Sequence, residues 1–293
     1  MNEFKYFHPL VGLLYFSLVI SLSCLISHPV CVIVSLCCGA AYSVMLGGRK
    51  RLRFIFVFIL PLMLAAAIIN PAFSHGGVTI LTYLPGGNPL TLESVLFGIN
   101  AAGVLASVIC HFYNMGENMT SDKLVYLFGR LSPALSLVLS MTLRFVPRLS
   151  GQINEIARAQ QALCRGGSGA GLIARAKNGT RILSAMLTLS LERSIDTADS
   201  MRSRGYGLTR RTAYSDYIFD RRDAAALTAM ILTGAYVICG MGEISSRFFP
   251  SIAVNGLSPY GISVFFAYLM LCAMPVIIEI REAIKWRSLK QSI

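Results

Sequence analysis

Charge is what this chain has least of. Only 14% of its 293 residues are charged, while 55% are hydrophobic; a soluble domain carries about a quarter charged residues. A water-soluble fold is therefore excluded. Acidic residues are scarcer than basic ones, 14 Asp+Glu against 26 Lys+Arg, for a net charge of +12. In a soluble chain that balance would suggest nucleic acid, but no groove-reading or base-stacking motif is interleaved with the basic residues, so nucleic acid is not expected as a partner. The phosphate-cradling Gly-x-x-x-x-Gly-Lys-Ser/Thr sequence is missing, as is His-Glu-x-x-His. The eight cysteines, Cys24, Cys31, Cys37, Cys38, Cys110, Cys164, Cys239 and Cys272, form no Cys-x-x-Cys pair and lie almost entirely in apolar segments, where they behave as small hydrophobes. His8, His28, His75 and His111 are scattered without metal-ligand spacing. These absences speak against an enzyme and against a bound cofactor or metal. The first apolar run lacks a strongly basic leader and a small-residue cleavage site, so it is expected to stay in the membrane.

What the chain has is long apolar runs. Six of them, at about 10–27, 30–46, 54–69, 94–113, 224–242 and 260–278, contain no Lys, Arg, Asp or Glu and approach the roughly 20 residues that a bilayer crossing requires. The expected fold is an all-α integral membrane protein of about six transmembrane helices, with kinks at Pro61 and Pro275. Positive charge sets the orientation. Lys5 precedes the first run, Arg49, Lys50, Arg51 and Arg53 join the second and third, and Arg281, Lys285, Arg287 and Lys290 follow the sixth. With both termini cytoplasmic, 25 of the 26 basic residues fall inside and only Arg247 outside. The stretch from Asn70 to Thr91 has no Lys or Arg, as an outer loop should. Leu131–Leu143 is apolar but short and contains Pro133; it reads as interfacial or re-entrant.

Between the fourth and fifth runs lies a basic cytoplasmic region. Residues 144–222 hold 14 basic and 6 acidic residues, in a helical pattern. Leu149, Ile153, Ile156 and Leu163 form an apolar stripe, and Asn154, Arg158, Gln161 and Arg165 share another face. Gly166 and Gly167 then stop the helix. The same grammar recurs from Ile182 to Ser203-Arg204-Gly205. Two amphipathic helices thus close on Arg-Gly, with a glycine-rich link, 166–171, between them. An isolated Arg-Gly is ordinary helix-end chemistry, since Arg favours the last turn and Gly the position after it; a repeated pair in one membrane protein is not explained that way. The chain divides into an N-terminal bundle (1–130), a cytoplasmic helical module (131–222) and a C-terminal transmembrane hairpin (223–293).

At these residues the chain resembles the transmembrane T component of energy-coupling-factor (ECF) importers, the family that includes the cobalt transporter's Q-type subunit. The family's paired Ala-Arg-Gly motif is similar to Cys164-Arg165-Gly166 and Ser203-Arg204-Gly205, with the small first residue changed in both. Other family-like strings stand in order: Asn70-Pro71-Ala72-Phe73-Ser74-His75, Thr91-Leu92-Glu93, Leu143-Arg144-Phe145-Val146-Pro147, and Ala198-Asp199-Ser200-Met201 leading into Tyr206. The resemblance implies a non-catalytic scaffold in the cell membrane. Cytoplasmic helix ends carrying Cys164, Arg165 and Gly166, and Ser203, Arg204 and Gly205, with Arg158 nearby, would dock two ABC-type ATPases, and a separate substrate-binding S component would choose a vitamin, cobalt or nickel. The rival is a stand-alone channel or secondary transporter. Such proteins place polar or ionisable groups at the midplane, and the strongest candidate here is Asn100, whose type more often joins helices.

Overall fold

The computed structural model describes residues 3–74, 76–83, 89–162, 171–206, 217–249, 252–254 and 258–291. Its contacts divide the chain into two compact units, Met1–Thr120 with Tyr217–Ile293, and Ser121–Asp216.

The first unit is a helical bundle. Helix α1 (Pro9–Leu25) and α2 (Pro29–Phe54) both begin at a His-Pro step. Proline suits the first helical position because its missing N–H has no intrahelical partner there. The histidine before it caps the end: His8 Nδ1 accepts from the Leu10 N–H and His28 Nδ1 from the Val30 N–H, each at 3.3 Å. Val11, Tyr15, Val19 and Leu22 are buried at helical spacing on α1, with Ile26 buried at its C-cap, and they meet Tyr268, Leu271 and Cys272 in one core.

Helix α4 (Leu92–Asn118) is the reference for the chain's direction. Along α2, Val32 faces Gly103, Gly39 faces His111, and the Tyr42 hydroxyl donates to Asn118 Oδ1 at 3.0 Å, so α2 and α4 run parallel. A π-helical turn, Ile55–Ile59, leads into α3 (Leu60–Phe73). Phe54 stacks on Tyr113 with ring centroids 4.4 Å apart, Ile59 packs with Ala106 and Cys110, and Ala67, Asn70 and Pro71 crowd Gly98, so α3 runs the opposite way. The reversal falls at Gly48, the one residue with non-helical geometry (φ 56°, ψ −138°) within α2. Positive φ is tolerated there because glycine has no Cβ. The π turn sits immediately before Pro61, whose missing N–H would otherwise leave a carbonyl without its partner.

Helices α8 (Arg221–Cys239) and α9 (Pro259–Gln291) complete the bundle. His8 N–H donates to Asp223 at the start of α8, and Ser246, just beyond the end of α8, donates to the Ser27 carbonyl. Tyr268 meets Ser23, and Phe4 N–H donates to Glu279 further along α9. Among the described residues of this unit, α1, α2, α3, α4, α8 and α9 thus alternate in direction between an Asn118 end and an Asn100 end. Among the described residues, Pro29–Phe73, Leu92–Asn118, Arg221–Cys239 and Pro259–Ser288 are apolar and long enough to cross a bilayer, and α1 is shorter. Pro29–Phe73 spans 45 residues because it contains the Gly48 reversal.

At the Asn100 end, strands β1 (Ile80–Tyr83) and β2 (Pro89–Thr91) pair antiparallel between α3 and α4. Strands β3 (Ser246–Arg247) and β4 (Ala253–Val254) form a second small ladder between α8 and α9. Both lie where irregular loops are expected, since runs of two to four residues carry too little alternation to read.

The second unit contains α5 (Ser121–Leu131), α6 (Pro133–Ala162) and α7 (Leu172–Ser203). The apolar stretch expected to stand apart, Leu131–Leu143, is divided at Ser132, and its remainder is the first third of α6. Pro133 serves as an N-terminal proline, which initiates rather than breaks a helix. Pro147 lies inside the same helix, so the amphipathic pattern read from Leu149 onward is its second half.

Candidate functional site at the arginine-glycine helix end

Helix α7 ends in a closed turn. The Tyr206 N–H donates to the Met201 carbonyl and the Gly205 N–H to the Arg202 carbonyl, both at 3.0 Å. This pair of nested bonds is the Schellman arrangement, and it needs a left-handed residue after the cap. Gly205 supplies it at φ 75°. The Ser203 hydroxyl donates back to the Ser200 carbonyl at 2.9 Å, which also accepts from the Arg204 N–H. Arg204 occupies the cap itself, exposed, and among the described residues it joins no ion pair. The backbone thus spends its own groups on closing the helix and leaves the guanidinium free.

Beside this end runs an apolar groove of 660 Å³ between α6 and α7, formed by Met141, Phe145, Leu149, Ala198, Met201 and Tyr206 among others. Met201 and Tyr206 are the C3 and C″ residues of the Schellman turn, the pair whose apolar contact commonly accompanies it. Phe145 belongs to the Leu143-to-Pro147 string; Arg144 and Pro147 are exposed on the same helix. Asn154 and Arg158 are exposed further along α6. Cys164, Arg165 and Gly166 lie outside the described residues, as does His75.

The Asn70-to-Ser74 and Thr91-to-Glu93 strings, 21 positions apart, meet at the Asn100 end of the bundle. Asn70 and Pro71 cover Gly98 at the end of α3, while Phe73 is exposed. Thr91 caps α4 by accepting from the Ser94 N–H, and its hydroxyl donates to the Gly76 carbonyl at 2.6 Å. Glu93 accepts from the Thr79 N–H at 3.2 Å and from the Thr79 hydroxyl. Gly77 holds φ 134° against this cluster, where a Cβ would come within 2.9 Å of Thr91 Oγ1. These strings form a clasp that ties the β-hairpin to two helices.

Two buried polar arrangements were not visible in the sequence. His111 Nε2 is 3.0 Å from Ser35 Oγ, Ser35 is 2.9 Å from Ser23, and Ser23 is 3.0 Å from the Tyr268 hydroxyl. This chain stitches four helices. Arg51 Nη2 lies 2.7 Å from Glu117 Oε1, with the guanidinium 4.4 Å from the Tyr113 ring centroid. Asn100 Nδ2 donates to the Ser27 carbonyl at 2.7 Å, tying α4 to the link between α1 and α2. Among the described residues no three His, Cys, Asp or Glu side chains gather as a metal site would require.

A bundle of alternating apolar helices, many of whose large hydrophobics face outward, is an all-α integral membrane protein, here with an additional helical unit in sequence between α4 and α8. Residues 5–214 match the family described as cobalt transport protein, CbiQ, and the chain belongs to that family. Curated relatives named energy-coupling factor transporter transmembrane protein EcfT include one from Lactobacillus helveticus, 38% identical over 99 residues (33% of this chain, 36% of the relative). Others are from Streptococcus equi, 31% identical over 106 residues (36% and 39%), and Lactococcus lactis, 33% identical over 99 residues (33% and 37%). Each match thus spans little more than a third of the relative's length.

Proposed function

We propose that this chain is the transmembrane T component of an ECF-type importer. In this reading it hydrolyses nothing itself and couples two cytoplasmic ABC-type ATPases to a substrate-binding membrane S component. It lies in the cell membrane with the Asn118 end of the bundle and both termini cytoplasmic, in keeping with the distribution of basic residues. The S component selects the cargo, a vitamin, cobalt or nickel.

The observation that carries the reading is Arg204: an exposed cation without an ion pair among the described residues, held on a helix end closed by its own backbone bonds. A guanidinium presented this way is a preorganised fork for a carboxylate on a partner. Arg165 is assigned the matching role at the other Arg-Gly sequence, and two such ends suit two ATPases. Closure of the ATPase pair would then alter the spacing of the helix ends and reorient the S component.

Affinity purification from cells expressing the ATPases and the S component tests this. The wild-type chain should bring down both ATPases, Arg165→Glu and Arg204→Glu should each retain less, and the double variant almost none, with the bundle still folded. A double variant that assembles at wild-type stoichiometry and supports uptake would remove the arginines from the coupling contact. A chain that purifies alone and transports in vesicles would favour a channel or carrier.

A further inference from the structure

A second cavity, of 540 Å³, lies wholly within the bundle unit at the Asn118 end and has no part in the transport reading. Phe7, Arg222, Ile278, Arg281, Glu282 and Lys285 line it. Three cations therefore face one carboxylate, and among the described residues none of the three forms an ion pair. The Arg222 guanidinium carbon sits 5.0 Å from the centroid of the buried Phe7 ring, which holds that charge against the wall.

Beyond Glu282, the acids adjacent in sequence to the lining residues already accept hydrogen bonds. Asp220 and Asp223 form a capping box on α8, and Asp223 accepts from the His8 N–H at 3.3 Å and the Asp220 N–H at 3.2 Å. Glu279 accepts from the Phe4 N–H. Arg222 moreover stands in the first turn of α8, where the helix dipole disfavours a cation. A ligand that brought negative charge here would relieve that repulsion and neutralise Arg281 and Lys285 together.

The level of the cavity identifies the kind of anion. It opens at the ends of two helices long and apolar enough to cross a bilayer, and exposed Tyr6 and Trp286 adjoin its lining residues in sequence. Amphipathic aromatics of this kind mark the headgroup layer, and basic pockets between membrane helices suit lipid headgroups. We propose that the cavity binds a phosphate-bearing anion, the headgroup of an anionic membrane lipid. Arg222 and Arg281 supply forked donors to the phosphate oxygens, Lys285 supplies a mobile point charge, and Glu282 accepts from a headgroup hydroxyl.

Native mass spectrometry of the full chain in detergent, titrated with phosphatidylglycerol, phosphatidylcholine or glycerol 1-phosphate, tests the site. Phosphatidylglycerol should bind in preference to phosphatidylcholine and weaken with salt. The double variant Arg222→Gln/Lys285→Gln should lose about tenfold or more in that affinity. Arg287→Gln, which removes a cation from the same helix outside the cavity, should change it less than about twofold. If the double variant does not fold, Arg281→Gln carries the same comparison. Glycerol 1-phosphate competing at equal concentration would support the phosphate site and assign it to a soluble anion; binding confined to the diacyl lipid would assign it to the bilayer. Unchanged affinity in the cavity variants, or an equal loss in Arg287→Gln, would overturn the proposal.

Discussion

The ion pair at the Asn118 end is asymmetric, and the asymmetry predicts which partner matters more. Arg51 is buried, with a side-chain exposure of 8%, whereas Glu117 is 51% exposed. The Arg51 side chain folds back over Gly47, its guanidinium covers Tyr113, and its Nη1 has no hydrogen-bond partner. Replacing Glu117 with Ala strips from a buried cation the one carboxylate that pairs with it among the described residues. The cost should be about 1–3 kcal/mol, below the 3–5 kcal/mol found when a fully buried pair is broken, because half of Glu117 is already in water. Replacing Arg51 with Met is the gentler change. It forfeits a partly exposed pair worth roughly 0–1 kcal/mol and a cation–π contact of about 0.5–1 kcal/mol. Methionine refills much of the volume, and the abandoned carboxylate is hydrated. Arg51→Met should therefore be less destabilising than Glu117→Ala, and the double variant no worse than Glu117→Ala alone. Unfolding of the purified chain in mixed micelles, followed by circular dichroism across the four species, measures this. Arg51→Met proving the costlier change, or the two costs adding, would refute the reasoning.

Gly205→Val forces a β-branched residue to φ 75° and should cost about 1–2 kcal/mol at the end of α7, read as faster amide exchange at Tyr206, while Gly205→Asn should retain most protection. Gly77→Ala places a Cβ against Thr91 and Glu93 at φ 134° and should destabilise the chain by roughly 1–3 kcal/mol, measured by the same unfolding assay. Ser35→Ala interrupts the His111-to-Tyr268 chain at its middle and should cost about 0.6–1.7 kcal/mol. Ser107→Ala, whose hydroxyl bonds only within its own helix, should cost less, and equal losses would deny the chain an interhelical role.

Much of the bundle was legible because hydrophobic length and the placement of basic residues are properties of contiguous sequence. The cluster Arg49 to Arg53 marked the turn between two apolar runs, and the reversal falls at Gly48, immediately before it. The helix end at Ser203-Arg204-Gly205 was legible for a local reason: cap chemistry is settled within one turn of chain. The pairing of Arg51 with Glu117 was not, because a pattern of polar residues names a face and not the partner 66 positions away. For the same reason His111 read as an isolated histidine. His8 and His28 likewise gave no sign of their cap role until the His-Pro steps were seen to open helices. The strands near Tyr83 and Arg247 were hidden by shortness, and α6 extended through Pro147, where sequence alone suggested separate segments.

The turn at Gly48 has a consequence for how the protein is made. A single non-helical residue between two apolar passes leaves no tether long enough for one pass to enter a bilayer while the other waits outside it. The two passes are therefore expected to insert together as one hairpin with its arginines at the bend, and a bulky residue at Gly48 is expected to lower the yield of inserted chain in a membrane-fraction assay even where the folded bundle tolerates it.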